Sequence, residues 1–132
     1  VNKCDSSKTV RYWKSGEFKR LNLRRGWMLP HPTFFVKKEI YEKYGLYNTT
    51  LRSSADYEMI LRLLHKGISI QYISKILIKM RIGGESNASI LNRLKANRED
   101  SLAWEINGLS KPLFIRLLKP IMKITQFFIK PM

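Results

Sequence analysis

Whatever fold this chain adopts must accommodate the segment SSADYEMILRLLHKG, residues 53 to 67, because both ends of a helix are written into it. Serines precede the apolar run and Gly67 follows it, which are start and stop signals. At 100° per residue, Tyr57, Ile60, Leu61 and Leu64 form one apolar stripe. Glu58, Arg62 and His65 share the opposite face, and the spacing of Glu58 and Arg62 predicts an i,i+4 pair in solvent. Asp56 falls on the apolar side, between the directions of Ile60 and Leu63. An acid there reads in two ways. It is the third position of a capping box begun by Ser53, or it is a carboxylate presented to a site.

The chain has 132 residues, of which 44% are hydrophobic and 11% aromatic, enough for one packed domain or part of one. Cys4 is the only cysteine, so an internal disulfide is excluded and a reducing compartment is expected. His31 and His65 are far apart and no Cys/His cluster suggests zinc. Charge is the outlier: 25 Lys+Arg against 10 Asp+Glu, formally +15. Such a field favours polyanionic partners, whether nucleic acid, anionic membrane or phosphate-bearing substrates. The cations are not arranged as a recognised nucleic-acid module, and few aromatics accompany them, so no nucleic-acid partner is expected.

Along the chain, residues 1 to 30 read as irregular and basic, with one short strand at 10–13. HPTFFV, 31 to 36, reads as a β segment, and KKEIYEKYG as a short helix stopped by Gly45. ISIQYI and KILIKMRI read as two further β runs. A long polar helix is expected from 86 to 107, with Ile90, Leu91, Leu94 and Leu102 as its apolar positions and Gly108 ending it. This order predicts an α/β class with too few strands for its helices, so partner strands are expected from elsewhere. Unpaired sheet edges of that kind favour self-association into a homo-oligomer.

The last segment, PLFIRLLKPIMKITQFFIKPM, places Arg116, Lys119, Lys123 and Lys130 within about 60° of helical arc, with Phe127 and Phe128 in the apolar remainder. A cation every third or fourth residue is incompatible with an ordinary membrane span. A wide apolar face with a basic edge fits an interfacial helix on an anionic membrane surface, and Pro120 must kink it. The competing account is a helix packed on the protein or on a second subunit.

GWMLPHPTFFVKKEIYEKYGLYNTTLRSSADYEMILRLLHKG followed by YISKILIKMRIGGES, about residues 26 to 90, resembles the second half of family 2 glycosyltransferases of the bacterial surface-polysaccharide type. The resemblance lies in the combination of an H-P before an aromatic strand, Y-E-K-x-G, A-D-Y-E-x-x-L-R, and M-R-x-G-G-x-S. It implies a GT-A fold, a nucleotide-diphospho-sugar donor, and inverting transfer to a carbohydrate or lipid-linked acceptor at the cytoplasmic face of the cell membrane. The aspartate of A-D-Y, here Asp56, is the expected general base. Arg81, Gly83, Gly84 and Ser86 match the segment near the donor diphosphate. His31, Trp27 and Tyr57 fall on the acceptor side, Trp27 either stacking on a sugar or serving the core.

Relatives hold a divalent metal, Mn or Mg, on the donor diphosphate with a D-x-D motif. This chain has none, since Asp5, Asp56 and Asp100 are isolated from one another. The reading is therefore an acceptor-side half, residues 1–108, followed by a basic amphipathic membrane tail, residues 109–132, inactive by itself, with the metal ligands outside this chain. The alternative is a non-catalytic remnant acting as a basic membrane-surface or partner-binding module.

Overall fold

The structure is a computed structural model that describes residues 1–2, 4–5, 7–25, 27–81, 90–112, 124, 126 and 128. Four α-helices run in the order α1 (Arg20–Arg24), α2 (Lys38–Tyr44), α3 (Ala55–His65) and α4 (Ile90–Ile106), with a 3-10 turn at His31–Thr33 before α2. Helix α3 is the centre of the molecule. Met59, Ile60, Leu61, Leu63 and Leu64 are all fully buried, and α1 and α4 pack against it. Leu23 of α1, Leu29, and Ala103 and Trp104 of α4 complete the buried cluster. Phe34, Val36, Ile40 and Tyr41 close it from the α2 side.

The helix ends follow local chemistry. Gly45 has φ +88 and donates its N–H to the Tyr41 carbonyl at 2.8 Å, so the glycine stop of α2 holds. Gly67 at φ +73 and Gly108 at φ +65 end α3 and α4 as expected. The start of α3 differs from the expected capping box. Ser54, not Ser53, is the N-cap, and its side chain makes no capping bond. The N–H groups of Ser53 and Ser54 instead both donate to Glu99 Oε2 of α4, at 2.7 and 2.9 Å. The Ser54 hydroxyl, turned into the α3–α4 seam, donates to the Ala96 carbonyl at 3.2 Å.

Three expectations are corrected. Residues 1 to 30 are not wholly irregular: α1 forms within KRLNLRR, and its Leu23 is buried. Residues 31 to 36 begin as a 3-10 turn rather than a strand. Pro30 and Pro32 hold φ near −65° and donate no N–H, and the chain closes on itself through Thr33 N–H to Pro30 O and Phe34 N–H to His31 O, both 3.0 Å. Within α4, Leu102 is 43% exposed while Ala103 and Trp104 carry the packing. The side chains of Ile90, Leu91 and Leu94 lie outside the described set.

No strand occurs among the described residues, so the helical part of the expected α/β class is what these residues show. Ile68, Ile70 and Tyr72 are half-buried and Ser69, Gln71 and Ile73 exposed, the alternation of a strand without a ladder. From Ile73 onward the segment is exposed, including Ile76, Leu77, Ile78 and Met80. Among the described residues no helix is long and apolar enough to cross a membrane.

Candidate functional site around Asp56

Asp56 sits in the first turn of α3 and is half-exposed, so the outlier of the apolar stripe is neither buried nor fully solvated. Its Oδ1 accepts the Tyr57 N–H at 2.8 Å, which satisfies one of the orphan donors of the helix start. The carboxylate thus does part of a capping task, by a bond to its neighbour rather than to Ser53.

Glu58, the other acid of this turn, has a different fate. It is fully buried, not solvent-facing as the wheel implied. Arg62 Nε donates to its Oε1 at 3.0 Å and Arg62 Nη2 to its Oε2 at 3.3 Å, while Asn107 Nδ2 donates to Oε1 at 3.0 Å. Arg62 continues outward to the carbonyls of Tyr44, Gly45 (3.2 Å) and Leu46 (2.7 Å), so one guanidinium ties α3 to the end of α2. The i,i+4 pair was legible; its burial was not. Glu58 is thus buried and engaged inside the fold, and Asp56 is the acid of α3 that is open to solvent.

The charge of Asp56 is felt at Tyr47, which belongs to a small aromatic group with Tyr41 and His31. Tyr47, in the loop after α2, is 39% exposed and meets the His31 ring edge-on, with centroids 6.0 Å apart and planes at 84°. Tyr41, on α2, faces Tyr47 at 6.3 Å with the rings tilted by 36°. Partial burial, a hydrogen bond with Tyr41, and the negative fields of Tyr41 and Asp56 push the Tyr47 phenol up to about 12. Solvent screens part of that effect at so exposed a side chain. His31 Nδ1 is buried and has no hydrogen-bond partner. Sequence reading missed Tyr41 and Tyr47. Both stand inside YEKYGLY, where the helix signal of the segment masked their second role.

The remaining candidates lie elsewhere. Tyr57 is buried in the α3–α4 seam, and its hydroxyl accepts the Trp104 indole N–H at 2.8 Å. Burial pushes this phenol well above its ordinary range, against the indole bond, which favours the phenolate. Trp27 packs on the core beside Phe18, at 6.1 Å, and donates its indole N–H to the Ser15 carbonyl at 3.0 Å, which is the core alternative left open above. Arg81 is exposed at the end of the extended segment. Gly83, Gly84 and Ser86 lie outside the described residues, as do Arg116, Lys119, Lys123, Phe127 and Lys130. Phe128 is described and is 81% exposed. Among the described residues no group of three or more His, Cys, Asp or Glu side chains could hold a metal ion. Comparison with models of known protein families, with curated proteins and with solved structures gives no match to this chain.

Proposed function

We propose that the chain is the acceptor-side part of an inverting glycosyltransferase, with Asp56 as general base. The observation that carries this reading is the division of labour between the two acids of α3. Glu58 is locked inside the fold by Arg62 and Asn107, whereas Asp56 is half-exposed at a helix start and its charge is felt at Tyr47. The order of motifs from His31 to Ser86 supports it independently.

In the proposed reaction the acceptor hydroxyl attacks the anomeric carbon of a nucleotide-diphospho-sugar. Asp56 accepts the hydroxyl proton as the new C–O bond forms, and the bond to the diphosphate breaks with inversion. The donor and its divalent metal are assigned to residues outside this chain. The described side chains do not fit a metal, and no step here depends on one. A sugar acceptor held at a cytoplasmic membrane surface suits a chain of net charge +15. The second reading, a non-catalytic basic module at the membrane, is favoured by the exposure of Ile124 (56%) and Phe128 in the tail.

The test is Asp56→Asn in the complete transferase. Transfer is expected to fall by about 10²–10⁴-fold, the usual contribution of a general base, with donor binding retained. Normal turnover by that variant would remove the base assignment.

A further inference from the structure

We infer that Tyr41 and Tyr47 form a stacking platform for a neutral pyranose ring, the sugar of the acceptor. Calling that sugar the acceptor rests on the reading of Asp56 given above; the binding surface itself does not. The two rings, tilted by 36° and 6.3 Å apart, border an open depression of about 430 Å³. Leu46 adds apolar surface, and Lys38 and Glu42 stand at the rim, joined to each other at 3.3 Å. This volume lies toward the small end of the range for small-molecule sites, and apolar walls with a few polar groups at the edge are their usual lining.

The chemistry selects the occupant. An aromatic face carries partial negative charge, which suits the C–H face of a pyranose, and the hydroxyl rim of the sugar needs acceptors and donors at the border. Glu42 and Lys38 provide both on one side, and the Tyr47 and Tyr41 hydroxyls on another. Apolar walls, with Lys38 and Glu42 paired to each other at the rim, suit a neutral occupant. His31 meets the Tyr47 ring edge-on and is not among the residues lining the depression.

The experiment uses the whole 132-residue chain and the methyl glycosides of glucose, galactose and mannose as probes, without any donor. Saturation-transfer NMR is expected to show binding of at least one glycoside, with a dissociation constant on the order of millimolar. Tyr47→Ala and Tyr41→Ala should each weaken it about tenfold or more, and Tyr47→Phe, which keeps the ring, should restore most of it. Retained dispersion in the ¹⁵N spectrum of each variant separates loss of the platform from loss of the fold, and Tyr47, in a loop and partly exposed, is the safer position. Transfer of saturation to none of the glycosides, or equal binding by wild type and Tyr47→Ala, would overturn the platform. Because no donor is present, that failure leaves the Asp56→Asn result untouched, and normal turnover by Asp56→Asn leaves the platform standing as a sugar-binding site.

Discussion

The Arg62 guanidinium serves both the Glu58 carboxylate and three carbonyls at the end of α2. Removing it leaves a fully buried acid without its counter-charge. Arg62→Met is therefore expected to cost about 3–5 kcal/mol in urea unfolding. Glu58→Gln keeps the shape and the Asn107 contact but loses the charge, and should cost less, about 1.5–3 kcal/mol. An Arg62→Met effect in the range of ordinary surface changes, about 0.5 kcal/mol, would contradict the buried arrangement. The pairing could be read from spacing alone. Its burial could not, because a helical wheel does not know that Asn107 and residues 44–46 will arrive on the polar side. The same blindness misplaced the interest of Asp56: its wheel angle is apolar, yet the residue sits at the first turn, where a helix end opens to solvent.

At the scale of elements, one of the polar contacts between α3 and α4 is buried among apolar side chains, Trp104 N–H to the Tyr57 hydroxyl. Trp104→Phe should cost about 2–4 kcal/mol in thermal or chemical unfolding, from the lost hydrogen bond and the smaller ring. Combined with Tyr57→Phe, it should cost less than the sum of the single changes, and strict additivity would mean that the two groups do not interact. Helix existence was legible for α2, α3 and α4, whose Gly stops and apolar spacing are local signals. What decides a strand is not local. HPTFFV and ISIQYI have β-type composition, but a strand needs a neighbour to share its ladder, and none forms among the described residues. Leu102 and Trp104 were exchanged in importance for a related reason. Spacing finds an apolar face, but the partner surface of α3 selects which residue fills it.

For the whole molecule the dominant property is net charge, +15 over 132 residues. It bears on the membrane part of the proposed function, since each cation near an anionic surface contributes roughly 1 kcal/mol. The Debye length shrinks from ~30 Å at ~10 mM salt to ~8 Å at ~150 mM. Binding to vesicles containing phosphatidylserine should therefore weaken by about tenfold or more across that range, read by flotation, while neutral phosphatidylcholine vesicles bind poorly. Equal affinity for both vesicles, or no change with salt, would remove the anionic surface from the list of partners.

Glu99 gives the proposed site a dependence on time. The N–H groups at the start of α3 are held by a carboxylate 45 and 46 residues further along the chain. During synthesis the segment with Asp56 leaves the ribosome well before the residue that fixes its first turn. Until α4 emerges and docks, that turn has no cap from Ser53 or Ser54 and is free to fray. The first turn of α3, which carries Asp56, gains these two bonds only once the later helix is in place, so the α3–α4 pair is completed before that turn is.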